Sequence, residues 1–500
     1  MSTRRQFLKS GAAAALLATG WQTKTVHADP EKPNFVLFIG DDISVSDFGC
    51  YGHPTIRTPN VDQLAAGGIR FTNMCLTTSS CSPTRTSLIT GRYPHNTGAP
   101  ELHMTDAPYL KDLPQFPHEL RKAGYFTAQA GKWHFNGDVT HSFDQKYEGG
   151  VSGAVNWVKS LQERPKDKPF FMWFAAIDAH RDWDLAMTEG PHLPEDAVVP
   201  PYQVDGVGTR TDLAHYYDEV HRYDTNIGKV VDELEKQGVY ENTVIIVMTD
   251  NGRPFPRDKT WLYDSGIKTP FVVHAPWKWK EPSVVSGLAS TIDLAPTLLE
   301  LAGVPVPASL QGVSLLPMLD NPDRTLRDFA FAERNWHGQR YHERMLRHGE
   351  FVYIRNQLPQ YTGFNIIHYG KLFQSAYLEL VEHQKRGQLN LAQCRVLDKP
   401  RHPEELYNVT TDPHQLNNLA LEPDYAETLQ LMRRVLDQWT EETGDTVPPV
   451  EDMTPDRNDR ETWEPIWNSG RPQGGVVPGQ STQAWTINRR GPVRADDVEG

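Results

Sequence analysis

Two acidic pairs, Asp41-Asp42 and Asp250-Asn251, each stand directly after a run of apolar residues. Three carboxylates and a side-chain amide oxygen make an all-oxygen donor set. Hard ligands of this kind suit Ca²⁺, with Mg²⁺ or Mn²⁺ as alternatives. Each pair alone reads equally well as a turn or a helix N-cap, where Asp and Asn are common. A two-zinc site would need histidines close to these carboxylates, and that spacing is absent. Basic residues follow other strand-like runs: Lys132 and His134 after Phe126 to Ala130, His180 after Pro169 to Ala176, and Lys259 beyond the second acidic pair. Cations so placed can hold the oxygens of a transferred anionic group while a histidine protonates the group that leaves. Cys81 and Arg85, in Ser80-Cys81-Ser82-Pro83-Thr84-Arg85, lie between the acidic pairs. Taken singly, each lysine reads as a solvated charge and each histidine as a hydrogen-bonded core residue.

A sheet must bring these residues together. The run Asn34 to Ile39 reads as a strand buried on both faces, Pro169 to Ala176 and Thr243 to Met248 as further apolar strands, and Phe126 to Ala130 and Phe271 to His274 add two more. Helices are expected from Thr58-Pro59 to Ala66, near Thr84 to Thr90 with Gly91 as its stop, and over Pro117 to Ala123, Asp212 to Gln237 and Ile292 to Ala302. Strands alternating with helices specify an α/β fold: a large, mainly parallel sheet sandwiched by helices, with ligands at the carboxyl ends of its strands. Every cluster named above follows a strand. Past residue 340 the pattern changes to a hairpin, Met345 to Arg347 and Phe351 to Ile354 around His348-Gly349-Glu350, then Glu404 to Val409 and a helix over Tyr425 to Thr440. A smaller C-terminal antiparallel sheet with a packed helix fits this region.

The chain therefore divides into an export signal (1–28), a catalytic domain (29–340), a C-terminal α+β subdomain (341–440) and an extended or partly disordered tail (441–500) rich in Pro, Gly, Asp and Arg. The signal has paired arginines at Arg4-Arg5, a short mildly apolar stretch from Gly11 to Gly20, and a small-residue cleavage site after Ala28. This points to the twin-arginine export machinery and a periplasmic or secreted product. No apolar run reaches the roughly 20 residues of a membrane span. A net charge of −14 argues against nucleic-acid binding. It leaves an anionic substrate open, because local Lys, Arg and His can override the global sign. Four cysteines are too few for a disulfide-stapled fold.

In order along the chain, Asp41-Asp42, Cys81-Ser82-Pro83-Thr84-Arg85, Gly131-Lys132-Trp133-His134, Asp178-Ala179-His180-Arg181 and Thr249-Asp250-Asn251-Gly252 resemble the type I sulfatases of the alkaline phosphatase superfamily. The resemblance covers about Pro33 to Ala420. It implies that a formylglycine-generating enzyme oxidises Cys81 to Cα-formylglycine, whose hydrate attacks sulfur and adds an oxygen to the metal set. Arg85 and the metal would position that hydrate, Lys132 and Lys259 would hold the sulfate, and His180 would protonate the departing alcohol or amine. His134 would then take a proton from the remaining hydroxyl. A helix starting just after Cys81 would aim its positive end at the anion.

Within the family, Asp250 to Pro256, Leu262-Tyr263 and Asp178 to Arg181 resemble the sulfamidase (heparan N-sulfatase) branch. Lys259 stands where the lysosomal enzymes are expected to carry Arg, and Trp133 where they carry Lys. The implied activity is sulfate hydrolysis from a sulfated saccharide, with N-sulfoglucosamine favoured. The alternatives are an exo-O-sulfatase or arylsulfatase, a phosphonate or phosphate monoester hydrolase, and a catalytically silent glycan-binding protein. His103, Asp178, Arg181 and His337 are expected to contact the sugar.

Overall fold

The computed structural model describes residues 32–102, 107, 109–183, 190–363, 375–450, 453–454, 456 and 484–499. Its strands are β1 (Asn34–Gly40), β2 (Ile69–Phe71), β3 (Met74–Cys75), β4 (Phe126–Gly131), β5 (Gln145–Tyr147), β6 (Phe170–Ala175), β7 (Thr243–Thr249), β8 (Phe271–His274), β9 (Ser283–Val285), β10 (Ala289–Ser290), β11 (Ala330–Arg334), β12 (Glu343–His348), β13 (Phe351–Asn356) and β14 (Glu404–Asn408). Eight of them form one sheet in the order β5-β4-β6-β1-β7-β8-β2-β9. Its pairings are parallel except where β8 meets β7 and β2. This is the mainly parallel α/β sheet that the alternation of elements specifies.

The side-chain period of a strand explains why β1 is apolar throughout. Phe35, Leu37 and Ile39 enter one core, with Leu88, Leu120 and Leu298, while Val36 and Phe38 enter the other, with Leu64, Leu161 and Val220. Each such side chain contributes about 1.5–3 kcal/mol by leaving water. The first core is covered by α2 (Cys81–Thr90), α3 (Phe116–Lys122) and the helix Leu294–Leu301. The second is covered by α1 (Pro59–Ala66), α4 (Trp157–Glu163) and the thirty-residue α5 (Val207–Lys236).

Two helices begin clearly earlier than expected, α5 at Val207 rather than Asp212 and, at the site, α2. α2 starts at Cys81 itself, not near Thr84. Ser80 is extended and serves as N-cap, and the Thr84 amide donates to the Ser80 carbonyl at 2.9 Å. Pro83 lies in the first turn, where an amide hydrogen has no intrahelical partner to lose, so it does not delay the helix. Gly91 ends α2 with φ of 62°.

The second sheet, β11-β12-β13-β14, is antiparallel. Its first strand precedes the expected boundary at 341. Ala330-Phe331-Ala332-Glu333-Arg334 carries two charges and two alanines, a poor strand signal. It is nevertheless buried throughout, because Glu333 and Arg334 find buried partners in His95 and Glu343. The helix Ala426–Thr443 packs on this sheet through Met432, Leu436 and Trp439.

Residues 484–499 return to the large domain. Arg92, fully buried, donates to the carbonyls of Trp485 and Ile487 and to Asn488 Oδ1. Among the described residues no helix is long and apolar enough to cross a membrane. The expected export signal lies outside the described residues.

Candidate active site

Strands β1 and β7 are neighbours in register, Gly40 opposite Thr249, so the residues that follow them meet at one sheet edge. The Asp250 amide donates to the Gly40 carbonyl at 3.1 Å. Asp42 adopts the left-handed conformation (φ 61°), which turns the chain sharply at the strand end. Cys81 Sγ comes from the N-terminus of α2 and lies 3.6 Å from Asp41 Oδ1 and 3.9 Å from Asp42 Oδ1. One ligand atom from each of Asp41, Asp42, Cys81 and Asp250 falls within 4.8 Å of the others, and all four residues are buried.

Asn251 supplies the test of whether a cation fits. Its Nδ2 donates to Asp42 Oδ1 at 2.6 Å, while its Oδ1 is buried with no hydrogen-bond partner. A buried orphan oxygen beside three converging carboxylates is the arrangement that a hard divalent cation satisfies.

Two buried cations, Arg85 and Lys259, and the half-buried Lys132 surround the carboxylates. Arg85 holds Asp250 Oδ2 through Nε at 2.8 Å, Lys132 Nζ pairs with Asp41, and Lys259 Nζ lies 2.5 Å from Asp42 Oδ1. Burial alone would raise the Asp42 carboxyl, but Lys259, His180 and Lys132 outweigh it and hold the group below its ordinary value. Burial and the nearby Asp41 charge win at Asp250, which is raised despite Arg85. Lys132 and Lys259 are raised: burial opposes their charge, and the carboxylates overcome it. Both lysines are therefore charged and fixed.

Burial pushes the Cys81 thiol up to about 12, against the pull of both lysines. As encoded, Cys81 is a protonated thiol at neutral pH and a weak nucleophile. His180, on the turn after β6, is lowered by burial and by Lys259, and its Nδ1 meets the Arg181 carbonyl. His134 shares the turn after β4 with Lys132, is half-buried, and has a positive φ of 36°.

Two residues expected at the sugar are engaged elsewhere. Asp178 is 1% exposed and takes a bidentate pair from Arg222 at 2.9 and 2.7 Å. Burial pushes its carboxyl up to about 6 despite Arg222. Its carbonyl accepts from the Asp41 amide at 2.9 Å, so Asp178 supports the cluster through the backbone. Arg181 is held by Asp212 through two 2.8 Å bonds and stacks on Trp183 at 4.0 Å. His337 is buried, with Nδ1 2.7 Å from the Ser80 hydroxyl next to Cys81. His103 lies outside the described residues.

Sequence reasoning missed Arg222 and Asp212, which sit on α5 and by spacing alone read as a solvated helix face. It also missed Arg253, whose Nε donates to Asp258 at 2.9 Å and whose carbonyl accepts from the Lys259 amide at 3.1 Å. The run Asp258-Lys259 beside Arg253 was a visible hint of paired charges.

A family model described as Sulfatase matches residues 33–304, more than half of the chain. The chain belongs to the sulfatase family. This sulfatase is 30% identical to human N-sulphoglucosamine sulphohydrolase over 82% of its own length and 90% of the human protein. It is 27% identical to an ulvan-active sulfatase of Formosa agariphila, over 94% of this chain and 83% of that one. Its identity to an N-acetylglucosamine-6-O-sulfatase of Bacteroides thetaiotaomicron is 24%, over 91% and 96%. Among solved structures, a protein in complex with its substrate D-glucosamine-2-N,6-O-disulfate superposes with a TM-score of 0.63. That match spans 82% of the sulfatase and 98% of the other chain at 20% identity, which speaks to the fold.

Proposed function

We propose that this sulfatase removes the sulfate of N-sulfoglucosamine from a sulfated saccharide. The observation that carries the chemistry is the buried convergence of Asp41, Asp42, Cys81 and Asp250 within 4.8 Å. The sugar assignment rests on the Asp250-to-Pro256 and Asp178-to-Arg181 runs and on the 30% identity to the human N-sulphoglucosamine enzyme.

A divalent cation, Ca²⁺ by preference, held by Asp41, Asp42, Asp250 and Asn251 supplies electrophilic stabilisation of anionic oxygens. Residue 81 in its formylglycine form supplies the attacking hydrate oxygen. Lys132 and Lys259 hold the sulfate oxygens, where their charge counts most in a water-poor site. Arg85 stays on Asp250 and orients that carboxylate. His180 gives a proton to the leaving amine. Burial first, then the Lys259 charge, lowers it in the free protein, and an anion arriving between the two lysines offsets the second of these. His134 would take the proton of the remaining hydroxyl at residue 81, so that the carbon–oxygen bond to sulfate breaks as the aldehyde re-forms. A formylglycine-generating enzyme and twin-arginine export complete the proposal.

Removal of an O-sulfate is the second reading, favoured by the 27% and 24% identities to ulvan-active and 6-O-sulfatases. Sulfate release from a panel of N-, 2-O-, 3-O- and 6-O-sulfated saccharides tests the choice, with a phosphate monoester as control. Release from the N-sulfated sugar is expected. Release from O-sulfated sugars alone sinks the N-sulfate assignment, and phosphate release alone would sink the sulfatase reading.

A further inference from the structure

Lys259 stands in a turn where two residues adopt the left-handed conformation, Arg257 and Thr260, each with φ of 74°. For threonine, branched at Cβ, that conformation is strained, whereas glycine adopts it without a clash. Such strain persists only where the surroundings over-determine it. What threonine supplies there and glycine lacks is a side-chain hydroxyl. Its Oγ1 accepts from Arg334 Nη2 at 3.1 Å, and both residues are buried.

Arg334 is a fixed donor. It ends β11 of the second sheet and gives Nη1 to Glu343 Oε1 at 2.8 Å. Its Nη2 also donates to the Gly363 carbonyl at 2.7 Å, and the guanidinium stacks on Tyr341 at 3.5 Å. The Thr260 amide donates to the carbonyl of Ser79 at 3.0 Å and to its hydroxyl oxygen at 3.1 Å. Ser79 stands two residues before residue 81, so Thr260 joins the lysine's turn to the nucleophile's. On the other side of Lys259, Asp258 accepts from Arg253 Nε at 2.9 Å and from the Tyr202 hydroxyl at 2.6 Å.

Lys259 Nζ leaves this turn for Asp42 Oδ1, across the site. A small backbone rotation at Thr260 is magnified at the end of so long a side chain, and reacting groups tolerate little misplacement. We infer that Thr260, held in its strained conformation by Arg334, is a positioning residue that aims the Lys259 ammonium at the sulfate. The second sheet thereby sets a group that stands on the first. The inference rests on the sulfatase reading above, in which Lys259 holds sulfate oxygens.

A double-mutant cycle on the full chain tests it, because a residue that acts through Lys259 has nothing to act on once the ammonium is gone. Thr260→Val keeps the shape and deletes the hydroxyl, and kcat/KM should fall roughly ten-fold, the order of one hydrogen bond to a charged group. Thr260→Ser keeps the hydroxyl and should recover most of that loss. Added to Lys259→Ala, Thr260→Val should lower activity by less than about two-fold more. The second readout is the rise in melting temperature produced by inorganic sulfate. It should shrink in Thr260→Val, persist in Thr260→Ser, and be as small in Lys259→Ala as in the double variant. Additive losses overturn the inference, since a purely structural role weakens the protein whether or not Lys259 is present. A Thr260→Ser variant as impaired as Thr260→Val overturns it too. If Thr260→Val does not fold, Thr260→Ala, which also lacks the hydroxyl, takes its place in the cycle. A wild type that releases no sulfate from any sulfated saccharide defeats the functional reading alone, and the sulfate shift across the same variants still decides the positioning.

Discussion

Lys259 Nζ lies 2.5 Å from Asp42 Oδ1, joining the turn after β7 to the turn after β1 across the centre of the sheet edge. The carboxylate fixes an ammonium that has almost no contact with water. An ammonium so held needs no reorganisation when negative charge builds on a bound sulfate. Lys259→Ala should lower kcat by about 10²–10³. Lys259→Arg should retain more activity than Lys259→Ala, because it keeps the charge. Steady-state kinetics on the three proteins checks the order.

Asp250 pairs with Arg85 and is a proposed metal ligand, and comparison with Asn251 separates the two roles. Asp250→Asn removes a carboxylate of the proposed metal site and also strips Arg85 of its buried counterion. Breaking a buried pair costs about 3–5 kcal/mol. Its melting temperature should therefore fall well below that of Asn251→Ala, whose side chain holds no buried charge in a pair. Both variants should lose activity, with calorimetry telling them apart.

Metal removal should abolish turnover. Dialysis against a chelator followed by graded additions should restore activity best with Ca²⁺, less with Mg²⁺ or Mn²⁺, and not with Zn²⁺, given oxygen donors and no histidine ligand. Metal-dependent recovery of sulfate release is the readout.

A buried carboxyl outside the reaction predicts a pH effect on stability. Glu101 Oε2 accepts from Thr454 Oγ1 at 2.8 Å while Oε1 has no partner, and burial pushes the group up to about 8. The folded form thus holds a proton that the unfolded form releases near the ordinary 4.5. The resulting stability is complete below about 4.5 and is lost as pH rises towards 8, by up to about 1.4 kcal/mol per pH unit within that window. Glu101→Gln should flatten this slope in denaturant unfolding measured between those limits. An unchanged slope would show that Glu101 is not its source.

Asp178 should reveal itself as a support rather than a sugar contact. Arg222→Ala leaves its carboxylate buried without its bidentate partner and should destabilise the fold by about 3–5 kcal/mol. Asp178→Asn in the same chain should restore part of that loss. Denaturant unfolding of the single and double variants measures the coupling.

The positions of these residues were legible in the sequence where strand ends dictated them. Asp41-Asp42, His180 and Asp250-Asn251 each follow a strongly apolar run and Lys132 a strand with Thr127 and Gln129 in it, and a parallel sheet delivers such positions to one edge. What the sequence withheld was pairing across elements. Nothing local to Arg222 distinguishes a charge aimed inward at Asp178 from one facing solvent. β11 was hidden for the same reason, since Glu333 and Arg334 disguise a buried strand until His95 and Glu343 are seen opposite them. Ser80 and Cys81 read as a loop running into a helix near Thr84, whereas α2 starts at Cys81.

Residue 81 carries the account, and its chemical state can be read directly. Mass spectrometry of the peptide spanning Ser79 to Arg85 from active protein, purified under conditions that preserve aldehydes, measures it. The account predicts an aldehyde or its hydrate at position 81, reactive towards a hydrazide and absent from Cys81→Ala. A fully active preparation carrying only an unmodified thiol at that position would contradict it.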